Sequence, residues 1–459
     1  LPLREEKQNH GVTFLKHAIL GAAIAAMLAG LLACGGSSTS APSGLTNRVL
    51  VSNSLSTGTF AGGTIQIVDA NKNLLSGSTI TAGSAPGLMA VSPLLDRTLV
   101  FDSGSNDVSI LVNSNESDAA FVSLSGFTES LIAKDTNTGF AAIPSLSIGG
   151  ETQSVLGGVA VLDLVNAVVA TVNVNGVNVS AIPVPNARRI VMNSQATKLL
   201  VFSDNYVAPC SDGTSALTVV DISEVALTGS NVVPNLPAIV CGFDQAVSGV
   251  FSTDGNTAYI LNCGPECGGK QASVQTFDLT KLPSASSTGS LEFSLPSVSV
   301  PAATVGMLNG TSLYVAGSPG GATTGSTGAS AGALSVIDLT GKTSKIVQPI
   351  GDGYHTRMVL GANNKLFIGA VGCTDIATSS SPTGCLSIYD TGANSAPVID
   401  AANGDVTGMV PIANTNVVYV VEGGKLLIYD TTTSAVSKTI GAINIVGTLV
   451  DVKAIDQPQ

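Results

Sequence analysis

A short apolar strand ending in Asp recurs along most of this chain. The copies are TIQIVD ending at Asp69, VAVLD at Asp163, LTVVD at Asp221, SVQTFD at Asp278, LSVID at Asp338, LSIYD at Asp390 and LLIYD at Asp430. An eighth copy, DVSILVN, carries Asn113 where the Asp would stand. Neighbouring Asp residues lie 40 to 60 positions apart, except for a gap of 94 that holds the degenerate copy. A repeat of this length is one supersecondary unit that buries its apolar faces against the units beside it.

Each copy follows another β-branched strand. These are RVLVSN from Arg48, RTLVFD from Arg97, TGFAAIP from Thr138, KLLVFSD from Lys198, TAYILN from Thr257, SLYVAG from Ser312, KLFIGA from Lys365 and VVYVVE from Val417. Polar turns such as Asp254-Gly255-Asn256 and Ala362-Asn363-Asn364 precede several of them, as hairpins require. The unit therefore reads as inner strand, turn, second strand, loop, third strand ending in Asp, and outer strand. That is the order of a propeller blade. The first piece, from Arg48, is a second strand with no inner strand before it. The last, GTLVDVKA from Gly447, is an inner strand with nothing after it. Pairing the two closes a ring and removes two exposed sheet edges. The expected fold is all-β, an eight-bladed propeller closed by a C-terminal strand. A seven-bladed ring is the alternative, because residues 128–177 match the repeat poorly.

Seven carboxylates at regular spacing could suggest a ring of metal ligands. A carboxylate at a strand end also caps the next turn by accepting backbone N–H bonds, and a structural device is what every blade would repeat. The capping role is the expectation.

Composition narrows the class. Charged residues are 11% of the chain and hydrophobic residues 44%, which excludes a disordered acidic polymer. Net charge is −12 and no basic stripe is present, so nucleic acid is not an expected partner.

The N-terminus carries an address. Arg4, Lys7 and Lys16 precede an uncharged apolar run over 18–32, which is short for a membrane span and flanked like an export signal. Leu31-Leu32-Ala33-Cys34 then resembles the bacterial lipobox, in which the Cys is acylated and becomes the mature N-terminus. The resemblance implies a signal peptide over 1–33 and a lipid on Cys34. Residues 34–46, rich in Gly and Ser, read as a flexible tether, and the propeller as 47–459. The expected location is the bacterial cell envelope, exported and lipid-anchored, facing the periplasm or the cell surface. An uncleaved anchor helix and an ordinary signal peptide are the alternatives.

SLYVAG with LSVIDL, and KLFIGA with LSIYDT, resemble the YVTN-type bacterial propeller repeats, related to the lactonase-like propellers. The resemblance spans roughly 48–456 and implies the fold. The lactonase-like relatives imply an ester hydrolase, but no residue of such an active site can be matched here.

Alternating strand direction puts the second-to-third loops and the starts of the inner strands on one face. The long insertions, 54–62, 206–215, 263–272, 317–332 and 372–384, fall on that face, where binding loops usually lie. Six cysteines beyond Cys34 fall there too. In an oxidising compartment local pairing gives Cys210–Cys241, Cys263–Cys267 and Cys373–Cys385. A thiolate metal site at Cys263 and Cys267 is the alternative, without a second nearby pair or a nearby His.

Catalytic residues are scarce. The body holds one histidine, His355, at the start of the seventh inner strand beside Arg357, and Arg189 stands at the matching place in the fourth blade. Arg189, His355 and Arg357 at the channel mouth could hold a small anionic molecule. They could equally pair with carboxylates of neighbouring blades. No nucleophile elbow, phosphate loop, metal motif or cofactor motif is found. The expectation is a monomeric, non-catalytic binding or interaction scaffold, taking an envelope protein or a small anion on its loop-rich face. The alternative is a lactonase-like hydrolase at the channel mouth.

Overall fold

The computed structural model describes residues 42–457, apart from 55–62, 149–154, 175–176, 204–209, 211–212, 224, 226–230, 233–236, 283–289, 294, 320–331, 375–383, 394, 400–402 and 433–438. The leader, Cys34 and most of the tether lie outside the described residues, as do large parts of the loops 54–62, 206–215, 317–332 and 372–384.

Eight antiparallel blades form a ring. Their inner strands, in ring order, are Leu449–Ala454, Pro86–Val91, Ser130–Ala133, Ala187–Met192, Ala246–Phe251, Val305–Asn309, Tyr354–Leu360 and Val406–Ile412. We number the blades 1 to 8 in that order. Blade 1 is completed by the C-terminal strand, with Val49 opposite Ala454 and Val51 opposite Val452.

The middle strands explain why the repeat reads as unbroken apolar runs. Arg97–Asp102, Lys198–Ser203 and Val417–Glu422 are buried at every position after the first. Both of their faces pack against neighbouring blades, so no alternation survives. The outer strands Leu74–Ala82 and Ser117–Ser123 face solvent and are largely polar or exposed. The core therefore lies between blades. Val49, Val51 and Val452 of blade 1 pack on Tyr419, Val421 and Ile428 of blade 8, which seals the ring with apolar contact. Each such side chain stabilises the closure by about 1.5–3 kcal/mol.

The seven strand-end aspartates cap turns. The Oδ1 atoms of Asp69, Asp163, Asp221, Asp278, Asp338, Asp390 and Asp430 each accept a backbone N–H from two residues downstream, at 2.8–3.0 Å. Asn113 does a different job: it accepts from the Thr98 hydroxyl and donates to the Leu95 carbonyl.

Blade 3 is the irregular one. Its inner and outer strands are short, Ser130–Ala133 and Val168–Val169, and Ile182–Pro183 adds to its third strand Val155–Asp163. The following segment pairs into a small side sheet, Thr171–Val174, Val177–Val179 and Asn231–Val232. That detour accounts for the poor repeat match over 128–177.

The compact unit that contains the blades runs from Ser43 to Gln459. Ser43 donates its N–H to the Glu116 carboxylate at 2.7 Å, and Leu45 packs on the cluster around Leu50 and Ile455.

Candidate functional site

The inner strands share a device that the repeat pattern does not announce. In blades 1, 2, 4, 5, 7 and 8 the pairing with the second strand slips near the start of the inner strand. In blade 4, Ala187 faces Ser203 but Arg189 faces Phe202, leaving Arg188 as the extra residue. In blade 7, His355 faces Ala370 but Arg357 faces Gly369, leaving Thr356 extra. A β-bulge of this kind bends the strand and re-aims the side chains beside it. Left-handed residues lead into several of these strands, among them Asn186 at φ 50°, Gln245 at φ 60° and Gly353 at φ 91°.

The bulges meet at the channel mouth in a cavity of about 630 Å³. Arg188 and Arg189 of blade 4, Tyr354, Thr356 and Arg357 of blade 7, and Glu129 of blade 3 supply much of its polar wall. Leu88, Leu131, Ile190, Val191, Phe202 and Val247 supply an apolar wall. Cys267, from the Cys263–Cys267 loop, also reaches it.

Arg189 and Arg357 come from different blades, line the same cavity and feel one another's charge. Arg189 lies deep in the protein while keeping part of its surface open to the cavity. Burial, and then the Arg357 charge, push its guanidinium down to about 10. Among the described residues it has neither a carboxylate nor a carbonyl partner. Arg357 is steered by backbone: its Nε donates to the Thr407 carbonyl at 3.0 Å, and Nη1 to the Thr356 carbonyl at 3.4 Å. Thr407 is the extra residue of the blade 8 bulge, so one bulge orients a side chain from the next. Arg188 instead forms an ion pair with Glu129 at 2.7 Å on the rim.

His355 does not join them. It is 1% exposed and does not line the cavity. Its place in the sequence, two residues before Arg357, suggests a shared strand face. The bulge at Thr356 breaks that alternation and turns the two side chains apart. His355 packs beneath Gly332, where an added Cβ would come within 2.7 Å of its Cε1. Its Nδ1 has no hydrogen-bond partner, and its carbonyl accepts the Thr304 hydroxyl at 2.9 Å.

The insertion face is fastened by disulfides. Cys210–Cys241, Cys263–Cys267 and Cys373–Cys385 are all formed, as local pairing anticipates. The Cys263–Cys267 loop holds a 3₁₀ turn over Gly264–Cys267, and Glu266 Oε2 accepts the Ser318 N–H at 2.9 Å, linking blade 5 to blade 6. No cluster of three His, Cys, Asp or Glu side chains suited to a metal occurs among the described residues.

The sequence matches no protein-family model, and no curated protein matches it. Solved structures do resemble the fold. The dihydro-heme d1 dehydrogenase NirN superposes with a TM-score of 0.54 at 12% identity, over 91% of this chain and 76% of that one. The periplasmic gluconolactonase PpgL of Pseudomonas aeruginosa gives 0.49 at 14% identity, over 89% and 98%. Apo AztD from Citrobacter koseri gives 0.48 at 12%, over 89% and 98%. At such identities the likeness extends to the fold, and what the chain shares with these proteins is a propeller.

Proposed function

We propose that this protein is an exported binding propeller that takes a small organic anion at its channel mouth. One observation carries the reading: Arg189 and Arg357, from separate blades, share a cavity with no carboxylate bound to either among the described residues. Two uncompensated guanidiniums in a partly desolvated pocket repel each other, and an anion between them relieves the repulsion. A carboxylate matches the planar fork of each guanidinium. The cavity volume is in the range of small-ligand sites, about 300–1,000 Å³.

The hydrolase reading is the weaker one. It needs His355 as general base, and a buried imidazole outside the cavity cannot reach a proton there. The lactonase-like name of one structural neighbour belongs to a fold that hosts many chemistries.

Calorimetric titration of the purified full-length chain with short carboxylates tests the proposal. Arg189→Gln and Arg357→Gln should each weaken binding by about 2 kcal/mol, roughly thirty-fold. Failure of every carboxylate to bind the wild type overturns it.

The location proposed alongside is the envelope, through a lipid on Cys34, with the YVTN-type repeat as the body. The lipobox pattern supports the anchor, and three disulfides support an oxidising compartment. Palmitate labelling in cells, lost in Cys34→Ala, is the expected result; an unlabelled wild type rules the anchor out.

A further inference from the structure

The face opposite the insertion loops is built from two turns of each blade, inner-to-second and third-to-outer. In blade 5 the first of these is the polar Asp254-Gly255-Asn256, with Gly255 at φ 67°. The same turn in blade 2 reads Pro93-Leu94-Leu95-Asp96. Its backbone is alike: the Leu95 N–H donates to the Ser92 carbonyl as the Gly255 N–H does to that of Ser252, and Leu95 takes a φ of 61°. The left-handed region disfavours a bulky side chain. Hairpin chemistry therefore does not call for two leucines at this tip. Leu94 is nonetheless 71% exposed.

Leu94 has company. Leu74 and Leu75 follow the third-to-outer turn of blade 1, and Val165 and Val168 stand at that of blade 3. Leu74 and Val165 are 59% and 68% exposed, and Leu75 and Val168 are exposed too. All five belong to one face of three consecutive blades. Among the described residues, the turns of blades 4, 5, 6 and 8 on that face carry no exposed large apolar side chain, and blade 7 adds Val398. The turns are braced against one another. The Thr136 hydroxyl of blade 3 donates to Asp96 of blade 2 at 2.7 Å, and Arg48 of blade 1 donates to the Asn113 carbonyl of blade 2 at 2.7 Å. Single apolar side chains scattered on a surface need no explanation, whereas a gathered set marks an interaction site.

The chain enters the body at this same face. Ser43 is held by Glu116, which lies in the third-to-outer turn of blade 2. Cys34 stands nine residues before Ser43. Even a fully extended chain of that length reaches only about 30 Å. We propose that the turns of blades 1 to 3 dock on a lipid bilayer surface, with Leu74, Leu94 and Val165 entering the boundary between headgroups and acyl chains. This rests on the acylation of Cys34 proposed above. The acyl chains hold the protein at the membrane, and the apolar tips decide which face meets it. The channel mouth and its disulfide-fastened loops then look into the aqueous compartment, open to soluble ligands.

The chain contains no Trp, so one introduced indole reports on one place. The test uses the full chain, exported by bacteria, purified and reconstituted into phosphatidylcholine vesicles with brominated acyl chains. Docking of this kind buries apolar groups about 5–10 Å into the boundary, so Leu94→Trp and Val165→Trp should shift to the blue and lose emission to the bromines. Val446→Trp, exposed on the insertion face, and Thr311→Trp, in the inner-to-second turn of blade 6, should keep the emission of an indole in water. Flotation with the vesicles scores the anchor separately. A chain that floats while Leu94→Trp stays unquenched overturns the docking and leaves the anchor standing. Val446→Trp or Thr311→Trp quenched as strongly as Leu94→Trp overturns it too. A blue shift of Leu94→Trp without vesicles, growing with protein concentration, assigns the patch to a second copy of the chain and overturns it as well. A chain that carries no lipid on Cys34 and does not float removes both readings together.

Discussion

Arg48 grips Asp456 across 408 residues of sequence. Its backbone N–H and its Nε both donate to Oδ2, at 2.7 and 2.9 Å, while Nη2 donates to Oδ1 at 2.6 Å. The remaining nitrogen, Nη1, donates to the Asn113 carbonyl at 2.7 Å and to Glu116 at 3.1 Å. Glu116 in turn holds Ser43. The first strand, the chain end and blade 2 are thereby tied at one point. The Asp456 contact, outweighing the cost of burial, raises the guanidinium's already high pKa further.

Removing that guanidinium leaves Glu116 and Asp456, whose side chains are 4% and 18% exposed, without their main counter-charge. Arg48→Met should therefore lower the free energy of unfolding by about 3 kcal/mol. Lys281→Met is the control, since its 3.8 Å contact with Asp278 is 69% exposed on the lysine side. It should cost less than about 0.5 kcal/mol. Urea unfolding curves of the three proteins decide, and equal losses would mean that the clasp is no stronger than a surface pair.

The disulfides should differ in weight according to the loop each one closes. Cys210–Cys241 spans 31 residues, Cys373–Cys385 spans 12 and Cys263–Cys267 spans 4. Chain entropy gives about 3–4 kcal/mol for the longest and about 2 kcal/mol for the shortest. Paired Cys→Ser variants should lose thermal stability in that order. An inverted order would show that packing around each bridge outweighs loop closure.

How much of this was legible in the sequence follows from where the physics is local. The Asp-ended strands were readable because a cap acts within two residues, and all seven carboxylates do what the pattern implies. Ring closure was readable because an unpaired strand stood at each end. Arg189 and Arg357 could be placed at one mouth by counting blades. His355 could not, because strand alternation assigns it the face of Arg357 and the bulge at Thr356 lies between them. A bulge is one extra residue without a fixed sequence mark. Left-handed residues just before the inner strands were the available hint: Gly353 and Asn186 are types that favour that backbone, and Gln245 is not. The tie between Ser43 and the body was hidden for another reason: Glu116, which holds it, is 73 residues away.

Blade 2 carries a buried carboxyl, Asp102, whose titration should be visible in the stability of the fold. Asp102 is fully buried and faces Asp107 across the hairpin, and each has an Oδ1 without a partner. Burial first, then the neighbouring Asp107, push the Asp102 carboxyl well above its usual range, and burial also lifts Asp118 to about 6. A raised folded-state pKa means that the native state holds protons the unfolded chain has released. Stability is therefore lost as pH rises from about 4 through the folded pKa values. Asp102→Asn keeps an acceptor for the Ser109 N–H and removes the charge. It should raise stability by about 1–2 kcal/mol near pH 8 and change little near pH 4. Unfolding at the two pH values checks this, and a loss at the higher pH would mean that the ionised form is stabilised by the fold.

His355 should titrate in the opposite sense. Burial drives its imidazole down to about 4, partly offset by its hydrogen bond to the Gly351 backbone and by Asp352. The native ring is neutral, and below its ordinary value of 6.5 only the unfolded chain takes up the proton. Stability should thus be lost as pH falls from about 6.5 to about 4, by up to about 1.4 kcal/mol per pH unit from this group. His355→Gln removes the titration, and the measured quantity is the slope of unfolding free energy against pH, corrected for the opposing carboxylates by comparison with wild type. The slope in that window should become less positive in the variant, whatever its absolute stability. Because the ring lies outside the cavity, carboxylate affinity should also show no step that His355→Gln removes. A histidine resonance that titrates near 6.5 in the folded wild type and is missing from His355→Gln would mean that the imidazole reaches solvent, and would reopen its role at the mouth.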